Sequence, residues 1–186
     1  MIEKLNVLQE EAANCTKCCL SLTRNKSVFA RGNPNAKILF LGEAPGQDEN
    51  NEGKPFVGKS GKFLDKVLDK CGLSENNVYI CNTVKCRPPD NRKPLQNEIN
   101  ACSYFLNGQL EIIKPKIIIV LGMIAYKALC EDKIKTISSI IGQKKIIGNK
   151  YSIYPTYHPS YLSRYGSIIQ KNEFENIIKM AIKEVL

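Results

Sequence analysis

No segment of the 186 residues repeats another, and none is of low complexity. The chain lacks the apolar run of about 18 residues that a bilayer-spanning helix needs; its longest candidate, Lys116–Leu121, has the length of a strand. The opening Met1-Ile2-Glu3-Lys4-Leu5 shows no apolar core of a secretory signal and reads as the start of a polar, amphipathic helix. A cytoplasmic protein with no membrane partner is therefore expected. Acidic residues are in short supply, 18 against 27 Lys and Arg, which leaves a net charge of +9. That balance suits a polyanionic partner, because neutralising phosphates drives non-specific binding, although a Lys-rich composition alone yields the same surface. Tryptophan is absent and histidine nearly so: His158, in Tyr-His-Pro-Ser, has no second copy anywhere in the chain.

What is present points to one domain over residues 1–186, large enough to build a core without disulfides. Leu5, Leu8, Ala12 and Cys15 recur at helical spacing and deliver an apolar stripe into Cys15-x2-Cys18. Ala36–Leu41 reads as a buried strand ending at Gly42; a Gly/Pro loop then runs to about Gly58, before a helix with Phe63, Leu64, Val67 and Leu68 on one face. Val78–Cys81 is the next strand, ending at Asn82, and Pro94 suits the first turn of a helix carrying Ile99, Cys102, Leu106 and Ile113. Ile117–Leu121 is a third strand, followed by Gly122 and a helix to about Cys130. Ile146–Ile147 and Ser152–Tyr154 suggest short strands around a Gly148-Asn149 turn. Phe174, Ile177, Ile178, Ala181, Ile182 and Val185 form the stripe of a last helix. Strand–helix alternation with near-continuous apolar strands predicts an α/β fold, a three-layer α/β/α arrangement around a mainly parallel four-stranded sheet. Ligands of such sheets bind beyond the carboxyl ends of the strands, which singles out the loops Gly42–Gly46, Asn82–Pro89 and Tyr157–Ser160.

Eight cysteines in a reducing compartment read as metal ligands or buried thiols. Cys15-x2-Cys18 is a chelate-sized pair, and Cys86 and Cys102 can complete four thiolates. Cys102 also lies on an apolar stripe, where a thiol is an ordinary small core residue; Cys71, Cys81 and Cys130 fit that second description best. Cys19 adjoins Cys18 and cannot readily share its ligand geometry. Four thiolates suit either zinc or an iron–sulfur cluster, and spacing does not separate the two.

Residues 82–94, Asn-Thr-Val-Lys-Cys-Arg-Pro-Pro-Asp-Asn-Arg-Lys-Pro, concentrate three chemistries. Asn82 can read the edge of a flat heterocycle, Cys86 can hold a metal centre, and Arg87, Arg92 and Lys93 can meet phosphates. Gly42 and Gly46 let backbone approach a ligand closely. Phe56, in a polar loop, is either a stacking platform or an anchor into the core. An enzyme acting on a base in DNA must flip it out, stack it and read its pairing edge. An Asn amide donates to a carbonyl and accepts from an N–H at once, which matches uracil's O4 and N3–H rather than cytosine. A departing base carries negative charge that a His N–H can stabilise, and a placed water completes the reaction without a metal.

With Gly-Asn-Pro at 32–34, Gly-Glu-Ala-Pro-Gly at 42–46, Gly-Lys-Pro-Phe-Val-Gly at 53–58 and His158-Pro-Ser-Tyr-Leu added, the chain resembles the family 4 uracil-DNA glycosylases, the iron–sulfur branch of that superfamily. The resemblance implies a monofunctional enzyme that removes uracil from single- or double-stranded DNA in base excision repair, a monomer associated with the nucleoid. It implies a [4Fe-4S] cluster on Cys15, Cys18, Cys86 and Cys102, with a structural role. Phe56 would stack on uracil, Asn82 would read it, and His158 would stabilise the leaving base; Gly42, Glu43 and Ala44 would line the pocket. Glu43, held by Asn91, would place the water. The loop of Pro159, Ser160, Tyr161 and Leu162 would enter the minor groove. Ala44 stands where another branch has a water-activating Asp, and Gln47 and Asn50 stand where the family's loop is acidic, with Asp48 and Glu49 remaining. Ser163 replaces an apolar residue. The competing class is an iron–sulfur or zinc DNA-binding module without glycosylase activity; a third is the same fold acting on hypoxanthine.

Overall fold

The computed structural model describes residues 1–148 and 150–185. Six strands form one sheet: β1 (Arg31–Gly32), β2 (Ile38–Gly42), β3 (Val78–Asn82), β4 (Ile117–Leu121), β5 (Lys145–Ile147) and β6 (Tyr151–Thr156). Their order is β1-β3-β2-β4-β6-β5. The inner four, β3, β2, β4 and β6, are parallel, as expected. β1 and β5 add short antiparallel edges to this central four-stranded sheet, making six strands in all. The Gly148-Asn149 turn expected between β5 and β6 includes Asn149, which lies outside the described residues, as does Leu186 at the end of the expected domain.

Every residue of β2, β3 and β4 is buried, and the period-two alternation of a strand divides their side chains between two cores. Leu39, Leu41, Tyr79, Cys81, Ile118 and Val120 share a cluster with helices α1 (Ile2–Ala13), α4 (Gln96–Ile113) and α5 (Met123–Lys127). Ile38, Phe40, Ile80, Ile117 and Ile119 share the other with α3 (Lys59–Lys70) and α7 (Ile168–Ile182). Two short helices, α2 (Gln47–Glu52) and α6 (Pro159–Arg164), belong to the segments that follow β2 and β6. This is the expected three-layer arrangement.

Helix ends differ in detail from the sequence reading. α4 begins at Gln96 with Leu95 as its cap, so Pro94 precedes the helix rather than entering its first turn. The cap is closed by the Glu98 carboxylate, which accepts the Leu95 N–H at 2.7 Å. α5 stops at Lys127, and hydrogen-bonded turns carry the chain on to Cys130. Val185 lies beyond the end of α7. Among the described residues, no helix is long and apolar enough to cross a membrane.

Candidate active site

Register brings the carboxyl ends of β2 and β3 level, with Gly42 paired to Asn82. Beyond that pair the Gly42 carbonyl accepts the Thr83 N–H at 2.9 Å and the Thr83 hydroxyl at 3.0 Å. The Glu43 carbonyl accepts the Val84 N–H at 3.2 Å, so the two loops leave the sheet fastened together. A side chain at position 42 would collide with Asn82 Oδ1 and the Phe56 ring. On the far side of β4, β6 hands the chain to Tyr157 and His158, and a Cβ on Gly122 (φ 91°) would press on the His158 side chain. A cleft of about 620 Å³ opens over these ends, lined by Glu43, Ala44, Phe56, Asn82 and His158 among others.

Asn82 is 1% exposed, and its buried Oδ1 has no hydrogen-bond partner. Leaving a buried acceptor unpaired costs roughly 1–3 kcal/mol, which a ligand N–H would recover. Phe56 is buried, with its backbone in the left-handed region at φ 55°. Its ring centre lies 6.0 Å from that of His158 at a 32° tilt. Phe56 therefore has both features weighed from the sequence: it is anchored in the core and its ring lines the cleft. Glu49 holds this wall together. Its carboxylate accepts the N–H groups of Gly46 (3.0 Å), Val57 (3.0 Å) and Gly58 (2.9 Å), joining the Gly42–Gly46 loop to the Phe56 loop. The Gly46-x-x-Glu49 spacing of a capping box is the sequence signal for that role.

His158 Nδ1 accepts the Ser160 N–H at 3.1 Å and lies 2.7 Å from the Ser160 hydroxyl. With Nδ1 accepting, the neutral ring carries its proton on Nε2. The residue is only half-buried, yet its ring is deep enough that desolvation pushes its pKa down to about 4, so it is neutral at pH 7. The Glu43 carboxyl is pushed above its ordinary range by burial, opposed by the positive charge of Lys93.

Several expectations need correction. The segment after His158 is helix α6, not a loop: His158 caps it and Pro159 occupies its first turn. Pro159 and Leu162 are consequently buried, and the segment's surface is Ser160, half-exposed, and Tyr161. Asn91 does not hold Glu43; its Oδ1 accepts from Arg87 Nε at 2.8 Å. Arg92 is committed to a two-pronged ion pair with the buried Glu98, at 2.6 and 2.8 Å. That guanidinium, with the Leu95 N–H, holds the Glu98 pKa down to about 2 despite burial. Lys93 is exposed.

Behind the cleft, on the α1/α4 face, Cys15, Cys18, Cys86 and Cys102 line one hollow. Arg24 donates to Cys86 Sγ at 3.1 Å, and the Lys85 N–H donates to Cys102 Sγ at 3.2 Å. Burial raises both thiols, Cys102 to about 11, while Arg24 acts on Cys86 in the opposite sense. A metal centre bound there would displace their protons. Among the described residues no three Cys, His, Asp or Glu side chains surround a single metal-ion position. The donor set nevertheless fits a thiolate-bound group: four sulfurs face one space, with N–H donors aimed at two of them. Cys71, Cys81 and Cys130 lie apart from this hollow. Cys19 also stays outside it, its thiol donating to Glu98 at 3.3 Å. Arg24, whose other nitrogen donates to the Ala13 carbonyl at 2.6 Å, carried no local sequence signal.

Comparison with known proteins identifies the family. The family model of the uracil DNA glycosylase superfamily matches residues 29–181. A type-4 uracil-DNA glycosylase of Thermotoga maritima is 41% identical over 177 residues, covering 95% of this chain and 90% of the relative. One of Saccharolobus solfataricus is 41% identical over 192 residues, covering 100% and 88%. A type-5 uracil-DNA glycosylase of Pyrobaculum aerophilum is more distant, 31% identical over 147 residues, covering 71% and 65%. The chain belongs to the uracil DNA glycosylase superfamily and, within it, to the type-4 uracil-DNA glycosylases.

Proposed function

We propose that this protein acts as a monomer that flips uracil out of DNA and hydrolyses its N-glycosidic bond, leaving an abasic site. The observation that carries the reading is the buried, unpartnered Oδ1 of Asn82 facing a cleft whose walls are Phe56 and His158. That oxygen accepts uracil N3–H, and the same amide donates to O4, a pairing cytosine does not offer. Phe56 stacks on the base. As the bond to the sugar breaks, both bonding electrons leave on uracil, and His158 Nε2–H donates to O2 and stabilises the anion. Water then adds to the sugar cation. Glu43, half-buried in the cleft, orients that water and takes its proton.

Four thiolates of Cys15, Cys18, Cys86 and Cys102 would hold a [4Fe-4S] cluster. When bound, the cluster supplies a cross-tie between the end of α1, the Cys86 loop and α4, and no step of the reaction passes through it. Lys93, Arg87, Ser160 and Tyr161 meet the DNA; Arg92, Pro159 and Leu162 act from beneath by shaping that surface. The test is incubation with a uracil-containing oligonucleotide followed by alkali, with a hypoxanthine oligonucleotide alongside. Strand breaks at uracil are expected. DNA binding by folded protein without any break would reject the enzyme in favour of a binding module, and breaks at hypoxanthine alone would reject the substrate.

A further inference from the structure

Between the cleft and the thiol hollow lies a buried cation. Lys85 is 1% exposed, and its Nζ donates to the Asn82 carbonyl at 2.6 Å and to Gln109 Oε1 at 2.5 Å. Both acceptors are neutral oxygens. Gln109 is itself fixed, since its Nε2 donates to the Phe29 carbonyl and the Tyr79 hydroxyl, each at 3.1 Å. The Phe29 ring centre lies 5.9 Å from Nζ. Among the described residues, no carboxylate pairs with this ammonium. A buried charge is tolerated only when an opposite charge shares its surroundings. Among the described residues, the group that could supply negative charge beside Lys85 is the set of four cysteines once they hold a metal centre as thiolates, because Lys85 lines their hollow. Its own N–H reaches Cys102 Sγ.

We propose that Lys85 is a positioning residue joining the two sites: its ammonium balances the charge of the thiolate centre, and its bond to the Asn82 carbonyl sets the reach of the Asn82 amide into the cleft. The inference rests on the reading that the four cysteines hold a metal centre and that Asn82 reads uracil. Base reading and metal binding then depend on each other through one side chain, although neither site touches the other's ligand.

Two full-length variants, expressed with iron, separate the two roles. Lys85→Met keeps the stem and removes both charge and donors; Lys85→Gln removes the charge and keeps a donor. Iron loss to a chelator, single-turnover release of uracil, and affinity for DNA are measured on each, with circular dichroism as the check on folding. Lys85→Met should lose iron about tenfold faster and release uracil roughly 10–100-fold more slowly, the range for a group that supports metal ligands from outside. DNA affinity should stay within about twofold, since phosphate contacts supply most of it. Lys85→Gln should regain most of the rate while losing iron as fast as Lys85→Met. Wild-type iron retention in either folded variant overturns the charge-balancing role. A slow Lys85→Gln that binds DNA normally overturns the tie to Asn82. Failure of both variants to fold, with or without iron, makes Lys85 a plain core residue and overturns the proposal. Wild-type protein in the same assays guards the premise: if it holds no iron or releases no uracil, the functional reading fails, whatever Lys85 does.

Discussion

Asn82 and Cys86 are four residues apart, yet they open onto regions built on opposite terms. The cleft is polar and open, and it leaves the Asn82 oxygen unpaired. The thiol hollow is closed in by Ala12, Ala101 and Phe105, and its sulfurs already receive N–H donors from Arg24 and the Lys85 backbone. A buried acceptor without a partner marks a site that waits for a ligand which comes and goes. Sulfurs held from behind suit a resident group that stays. The difference separates reading from holding, and it follows from how each region treats its polar atoms.

Removing the waiting acceptor should give the largest effect. Asn82→Ala is expected to slow uracil release by on the order of 10³-fold, comparable to losing a transition-state donor, while fluorescence anisotropy shows DNA affinity nearly unchanged. An equal loss of both would erase the distinction between cleft and surface. On the other side, Cys86→Ala should lower metal affinity by more than the roughly 10–100-fold seen when only a supporting group is lost. Folded yield and brown colour should fall with it, and iron analysis that finds normal content would refute the ligand assignment.

The wall of the cleft comes next. Glu49→Gln replaces an acceptor of three N–H groups with one that must turn an amide NH2 toward some of them. Urea denaturation should register a loss of about 1–3 kcal/mol for the stranded donors, and uracil release should slow because Phe56 loses its fixed loop. Unchanged stability would mean that the clamp is dispensable.

pH sharpens the comparison further. Burial sets the folded His158 pKa at about 4, below the ordinary 6.5. As pH falls from 6.5 toward 4 the unfolded chain takes up the proton first, so the His158 contribution to stability is complete above about 6.5 and is lost over that window. His158→Asn should remove this step from urea midpoints compared at pH 7 and pH 5. Glu98 shifts in the same direction for a different reason, the Arg92 guanidinium holding its folded value at about 2 against 4.5, so its contribution is present above 4.5 and is lost as pH falls toward 2.

The smallest effects distinguish the two cations of the Pro-Pro loop. Lys93→Ala should reduce the salt slope of DNA binding by about one and leave stability alone. Arg92→Ala should instead destabilise the fold by stranding the buried Glu98 carboxylate. Matching salt slopes in the two variants would return Arg92 to the phosphate-binding surface.

Much of this molecule is legible along the chain because its signals are local. The runs 38–41, 78–81 and 117–121 are apolar throughout, as strands covered on both faces must be, and the glycines and prolines after them mark the loops of the site. The Cys15-x2-Cys18 pair and the segment from Asn82 to Pro94 are readable for the same reason: ligand spacing and turn chemistry are properties of neighbouring residues. Other features are settled by atoms far apart in sequence. Leu162 reads as a loop residue from His-Pro-Ser-Tyr-Leu, but the imidazole of His158 caps a helix there and turns Leu162 inward. Arg92 reads as a free cation until Glu98, rotated into the core by α4, takes it.

By itself the sequence determined the layer order, the parallel inner strands, the chemistry of the three loops and the number of thiols on offer, all of which follow from periodicity, turn residues and donor types. Only the tertiary structure decided which of those residues are available. Burial leaves Asn82 without an acceptor's partner, Glu98 withdraws Arg92, and Lys85 is placed between a carbonyl and four sulfurs. Availability depends on desolvation and on partners brought together by the sheet and its helices, and no local pattern of residues encodes that.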